Sequence, residues 1–335
     1  MKTITAVAIS PNKRFVAVAE RKRHNANAFI SFYDIKTSEF KKERNYIQVC
    51  ETEPTHQKTI TSLAFSSDSK QIAALIDGAE VKAIVWEWFD KNKSRIVGQY
   101  EFQKTFINKI SFSPSEANIV CTSGQGHWKV WRPQENTFTV YQKIALSKDN
   151  YSFTDHCWLL YDRMAATTVE GEIVILENFE EKQLIDNAFG TQELQTITTV
   201  APFSKGFFVA SDKGHIAMWV RAEENNQSTG KDGQYYDFIR SWRVSLLELP
   251  HVIHMDLNHS EEYLAVACRN NNSYIVHVKT VGLNESMDKE VKVEMLARGF
   301  HSGAITAMDI ATQRPMLVTA SYEDSTIRIW NYYNF

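Results

Sequence analysis

Seven times along the chain an apolar residue is followed by two variable positions and then by apolar–x–apolar: "ITAVAIS" (4–10), "ITSLAFS" (60–66), "INKISFS" (107–113), "FTDHCWL" (153–159), "ITTVAPF" (197–203), "VIHMDLN" (252–258) and "ITAMDIA" (305–311). Such alternation predicts strands with one buried face. A second alternating phrase follows each, closing on a large residue: Tyr33, Trp86, Trp131, Leu176, Trp219, His277 and Trp330. Between the two lies a third apolar run: "FVAVAE", "QIAALI", "NIVCTS", "RMAATT", "FFVAS", "YLAVAC" and "MLVTAS". Each unit therefore predicts at least three strands.

The closing residues recur every 43 to 58 positions, the length of a four-stranded β-propeller blade once a further strand is placed between units. The gaps supply candidates, "RIVGQYEF", "FTVYQKIAL" and "FIRSWRVSL". The expected fold class is all-β, a propeller of about seven four-stranded blades in one domain over residues 1–335, with units near 4–50, 60–103, 107–146, 153–188, 197–246, 252–297 and 305–335. Period-2 patterning excludes a helical solenoid. Seven units need seven outer strands and only six gaps separate them, so the last blade is expected to be incomplete or open, or to begin a second propeller in a longer chain.

The last unit carries the fullest chemistry. His301 stands in the turn entering its first strand, Thr319 and Ser321 end the second, Asp324 occupies the next turn, and Trp330 ends the third. This arrangement resembles the WD-repeat family, in which such residues form a buried hydrogen-bond chain that ties three strands together. The physical logic stands by itself: a buried indole N–H needs an acceptor and a buried imidazole needs both nitrogens satisfied. A Ser, a His and an Asp also invite a catalytic-triad reading, but no nucleophile elbow accompanies them. Elsewhere the turn position six before the closing residue holds Asn27, Glu80, Gln125 or Lys213, too varied for shared chemistry. No catalytic, cofactor-binding or metal residue is assigned.

Composition refines this. The 43% apolar and 23% charged chain has a formal net charge of −3, ordinary for a soluble domain and no overall attraction to nucleic acid. Residues 1–50 nevertheless hold ten Lys/Arg against four Asp/Glu. Lys13 and Arg14, with Arg21, Lys22 and Arg23 in "ERKRHNAN", are candidates for docking an acidic partner. Cys50, Cys121, Cys157 and Cys268 lie far apart without a CxxC pair and read as reduced core thiols. His251, His254 and His259 cluster, yet i and i+3 on a strand point to opposite faces. "SGQG" (123–126) is a glycine turn without the lysine and helix of a phosphate loop. Met255 and Met308 read as core, and the polar stretch 221–238 as a long loop between blades. The amino terminus lacks a signal-peptide core, no run reaches 18 apolar residues, and a cytosolic or cytoskeletal compartment is expected.

Within the WD-repeat family, "AISPNKRFVAVAE" (8–20), "CTSGQGHWKVWR" (121–132), "FSKGFFVAS" (203–211) and "HSGAITAMDIATQRPMLVTASYEDSTIRIWNY" (301–332) together resemble the amino-terminal propeller region of the cilia- and flagella-associated protein 57 group. The resemblance implies a non-enzymatic scaffold of the ciliary or flagellar axoneme, with inner-arm dynein and regulatory complex components as partners and tubulin as a further candidate. It implies no cofactor, nucleic acid or membrane partner. Members of the group continue into a second propeller and a coiled coil. Two alternatives differ in class. A peptide-recognition subunit, such as a ubiquitin-ligase substrate receptor, requires clustered Arg and aromatic side chains around a central channel, and a propeller enzyme requires converging carboxylates or histidines at its mouth.

Overall fold

The apolar runs fold almost wholly into strands because sheets stacked on one another bury both faces, as Arg163–Thr168 and Gly206–Ser211 do along their whole length, and turn residues stand at the bends. The computed structural model describes residues 2–22, 28–35, 42–49, 59–88, 94–191, 193–222, 234–245, 250–281, 290–297, 299, 301, 303, 305–310, 316–323 and 325–331; of Lys2, Thr3, Lys22, 42–49, Ile305, Ile310, Trp330 and Asn331 it describes the backbone alone. Seven sheets follow in chain order. They are β1 (Lys2–Ile9), β2 (Phe15–Lys22), β3 (Ala28–Asp34) and β4 (Lys42–Val49); β5 (Thr59–Phe65), β6 (Gln71–Asp77), β7 (Val81–Glu87) and β8 (Arg95–Phe102); β9 (Ile107–Phe112), β10 (Val120–Gly124), β11 (His127–Gln134) and β12 (Thr137–Gln142); and β13 (Phe153–Trp158), β14 (Arg163–Thr168), β15 (Ile173–Glu177) and β16 (Glu180–Ile185). The rest are β17 (Ile197–Phe203), β18 (Gly206–Ser211), β19 (His215–Arg221) and β20 (Tyr236–Arg243); β21 (Val252–Leu257), β22 (Tyr263–Cys268), β23 (Ser273–His277) and β24 (Val293–Ala297); and β25 (Ile305–Ile310), β26 (Met316–Ser321) and β27 (Thr326–Asn331).

Six sheets have four strands in sequential order, and the seventh has three among the described residues. The predicted outer strand "RIVGQYEF" is β8. The predicted "FTVYQKIAL" strand stops at Gln142, because the following residues leave the sheet and lie against β16. β20 begins at Tyr236, three residues inside the stretch read as a loop.

One local device recurs in every unit. The register of the first strand shifts at the second residue of the repeated phrase, between Ile4 and Ala6, Ile60 and Ser62, Phe153 and Asp155, Ile197 and Thr199, Val252 and His254, and Ile305 and Ala307. β9 shifts at the matching place, where Gly124 pairs with Ile107 and Ser123 with Lys109. The bulged residue is usually threonine. In the fourth, fifth and seventh units its hydroxyl returns to the neighbouring strand, Thr154 to the Thr167 carbonyl at 3.2 Å, Thr198 to Ala210 at 3.2 Å and Thr306 to Ala320 at 3.3 Å. A β-bulge bends and twists its strand, and the hydroxyl gives a carbonyl there a further donor. The first turns repeat too: Ser10 bonds Asn12 at 2.7 Å and Ser66 bonds Asp68 at 2.6 Å, while Phe15 and Gln71 each donate a backbone N–H to those serines at 2.9 Å.

The chain divides into two compact units. In the first, residues 1–168 and 174–184, β1, β5, β9 and β13 run side by side. Apolar layers fill the spaces between successive sheets: Ile30, Phe32, Phe65 and Trp88 between the first two, Val85, Ile110, Phe112 and Trp131 between the second and third, and Trp128, Val130, Phe153 and Met164 between the third and fourth. Trp88 stacks on Phe32 at 4.2 Å and donates its indole N–H to the Ser69 carbonyl at 3.0 Å. In the second unit, residues 169–173 and 185–335, Phe208, Met218 and Trp242 of the fifth sheet pack on Met255, Leu264 and Val276 of the sixth. Met255 is core as expected, whereas Met308 is 69% exposed.

Candidate interaction surface and its buried fasteners

The last repeat shows part of the expected network. His301 is buried, its Nε2 lies 2.8 Å from Thr319 Oγ1 and its Nδ1 3.1 Å from Thr326 Oγ1. Thr319 and Ser321 are buried beside it. Asp324 and the Trp330 side chain lie outside the described residues. Thr326, on the third strand, is a member that the sequence reading missed.

Blade-like sheet three holds a fuller network on a less typical sequence. Trp131 donates its indole N–H to Thr122 Oγ1 at 2.8 Å, and Thr122 Oγ1 lies 2.8 Å from His127 Nε2. Strand register makes Thr122 equivalent to Thr319, and His127 equivalent to Thr326. The imidazole comes from the third strand here, and reaches the same threonine. Burial, with Lys129 adding to it, lowers the His127 pKa to about 4, so the ring is neutral. In sheet five the corresponding His215 bonds Gln195 Oε1 through Nδ1 at 2.9 Å and accepts from Arg243 Nε at 3.1 Å. An arginine can only donate, so Nε2 is the acceptor and Nδ1 carries the proton. Burial first, then Arg243, lowers this pKa as well.

A further polar cluster, built around a fully buried imidazole, joins sheets three and four. His156 is 0% exposed. Its Nε2 lies 2.7 Å from Ser111 Oγ and its Nδ1 2.6 Å from Ser123 Oγ, while Trp158 donates to Ser111 Oγ at 2.9 Å. Beside it Lys109 Nζ pairs with Asp155 Oδ1 at 2.6 Å. Asp155 bonds the His156 backbone N–H at 2.7 Å, so its carboxylate is engaged away from the ring. Burial, then Lys109, pushes the His156 pKa down to about 3. Both ring nitrogens are held by hydroxyls out of reach of solvent, an arrangement that fixes two sheets together rather than activating a nucleophile. The sequence did carry a signal: His156 occupies the fourth position of its phrase, where the others place Val7, Leu63, Ile110, Val200, Met255 and Met308.

The basic residues separate. Lys13 and Arg14 sit in the turn before β2 and Arg21 near its end, roughly 23 Å apart along an extended strand. Lys13 is exposed in the left-handed region at φ 58°. Arg14 forms an ion pair with Asp34 at 2.9 Å and covers the Phe15 ring. Arg21 reaches Thr59 Oγ1 at 3.1 Å. The Lys22 side chain and Arg23 lie outside the described residues. Of the histidine cluster, His251 precedes β21 and His254 lies within it, and no group of three metal-ligating side chains converges among the described residues.

The pattern described as "WD domain, G-beta repeat" matches residues 297–331, the last sheet. The propeller domain of Myceliophteria thermophila Cps50 (Swd1) superposes with a TM-score of 0.66 at 16% identity, covering 98% of this chain and 96% of that one. A chain of a structure described as "COPII on membranes, outer coat vertex" gives 0.63 at 12% identity, covering 98% of each. The fold is a β-propeller carrying a WD repeat. Over 98% of its length this propeller is similar to cilia- and flagella-associated protein 57 of Mus musculus, at 23% identity, and to protein 57 C of Tetrahymena thermophila, at 21%. It is 22% identical, over the same share, to cilia- and flagella-associated protein 44 of Trypanosoma brucei brucei. The propeller spans only 28% and 29% of the lengths of the first two relatives.

Proposed function

We propose that the propeller is a non-enzymatic protein-interaction scaffold of the ciliary or flagellar axoneme, helping to dock or regulate inner-arm dyneins and regulatory complexes on doublet microtubules. The observation that carries this reading is the similarity over 98% of the chain to proteins named as cilia- and flagella-associated in animals, ciliates and trypanosomes. The structure supports a scaffold in kind: repeated sheets held by buried networks leave their turns free to vary. A tagged chain expressed in ciliated cells should enter the axoneme and, under proximity labelling, mark dynein and regulatory complex subunits. A diffuse cytoplasmic signal would overturn the reading.

The basic residues extend the proposal to an acidic partner such as a tubulin tail. Because the two groups lie at opposite ends of β2, they are tested separately. Lys13→Glu should lower salt-sensitive cosedimentation with microtubules if the turn docks, and a Lys22→Glu, Arg23→Glu pair should do so if the other end docks. Unchanged binding in both removes the patch.

A further inference from the structure

The outer strand β16 already carries a short foreign rung on its outer edge. After Gln142 the chain leaves β12, and Ala145 forms a parallel bridge opposite Glu180. The Ala145 N–H donates to the Phe179 carbonyl and the Ala145 carbonyl accepts from the Glu181 N–H, both at 3.0 Å. Ile144 and Leu146 on either side are half-buried against the core between sheets three and four, as are Phe179 and Leu184. A parallel ladder would next send the Ser147 N–H to the Glu181 carbonyl. Instead that N–H donates to Glu181 Oε2 at 2.8 Å, the Ser147 hydroxyl to Oε1 at 2.7 Å and the Tyr151 hydroxyl to Oε1 at 3.2 Å. One carboxylate thus turns the ladder aside after a single rung. A groove of about 380 Å³ remains between Ala145–Ser147 and Glu180–Leu184.

We propose that this edge is a strand-docking site for a partner protein's extended segment, in which an apolar–small–apolar triplet is followed by arginine or lysine, and that residues 143–149 are the internal strand it displaces. Strand addition to a sheet edge is a common mode of peptide recognition. The internal strand states the requirements: apolar side chains at the places of Ile144 and Leu146, a small one where the backbones approach at Ala145, and donors aimed at Glu181. An incoming segment restores the two backbone bonds that the internal strand gives up. A guanidinium in the place of Ser147 adds charge-assisted, bidentate bonds to the carboxylate, which are stronger than those of a neutral hydroxyl. Adjacent Glu180 is already paired with Lys182 at 2.6 Å, so the preference for a cation rests on Glu181. The proposal shares with the scaffold reading only the premise of a protein partner.

The probe is a fluorescent nonapeptide copying residues 142–150 with arginine in place of Ser147, added to the purified chain. It should bind saturably, at least tenfold tighter than the same peptide with aspartate there. Glu181→Gln should cost about tenfold in affinity for the arginine peptide. Ala145→Pro, which removes the internal strand's N–H donor, should tighten binding severalfold. No saturable binding to either wild type or Ala145→Pro, or an affinity that Glu181→Gln leaves unchanged, overturns the proposal. Failure of axonemal targeting would leave this result standing, and failure here would leave targeting untouched.

Discussion

Blades three and seven carry the same kind of fastener on opposite terms. Blade seven has the fuller sequence signature, yet Ile327 and Ile329 on its third strand are 74% and 69% exposed. Blade three has Gln125 where the signature wants aspartate, yet its equivalent residues Trp128 and Val130 are buried, covered by Phe153 and Met164 of blade four. In all of the first six blades these two positions are buried. The signature describes local hydrogen bonding within one sheet, and burial is conferred by the sheet that packs upon it. Energetic weight should therefore follow the neighbour and not the motif.

The largest expected effect is at the centre of blade three. Trp131→Ala removes a large buried side chain and its bond to Thr122, and should cost about 3–5 kcal/mol in denaturant unfolding. A cost near zero would show that the network is ornamental. The junction of blades three and four comes next. Ser123→Ala leaves a buried imidazole nitrogen without its partner and should cost about 1–3 kcal/mol.

Acid should act on the buried rings of blades three and four. His127 and His156 are neutral in the fold, with pKa values lowered to about 4 and about 3, while the unfolded chain takes up a proton on each near 6.5. Their contribution is complete above that value and falls as pH drops through the window, at up to about 1.4 kcal/mol per pH unit for each ring. His156→Gln should flatten the slope between about pH 4 and 6; an unchanged slope would show that the ring is already charged or solvated. The smallest effect belongs to blade seven: Ile327→Ser and Ile329→Ser should each change stability by less than about 0.5 kcal/mol. A cost of several times that would mean that the face is covered in solution.

Much of this molecule was readable as a string. The first-strand phrases and the middle runs fall largely within strands and each closing residue lies in one, because period-2 alternation reports directly on a buried sheet face. The Gln125–Gly126 turn was likewise readable, since Gly126 adopts φ 60°. The threonine of the recurring "IT" was visible but passed as a variable position, because a bulge leaves no mark on alternation except a slip of one residue. His156 was visible as a polar intruder in an apolar slot, but its partners Ser111 and Ser123 are 45 and 33 residues away.

The sequence by itself determined the repeat, the strands within it and the residues able to form a fastener, because these depend on local pattern and on the hydrogen-bonding capacity of single side chains. Only the tertiary structure decided which fasteners are buried and that residues predicted to finish β12 cross to the edge of β16. Those outcomes depend on which sheet covers which face, and packing between elements distant in sequence is not written in the period of either.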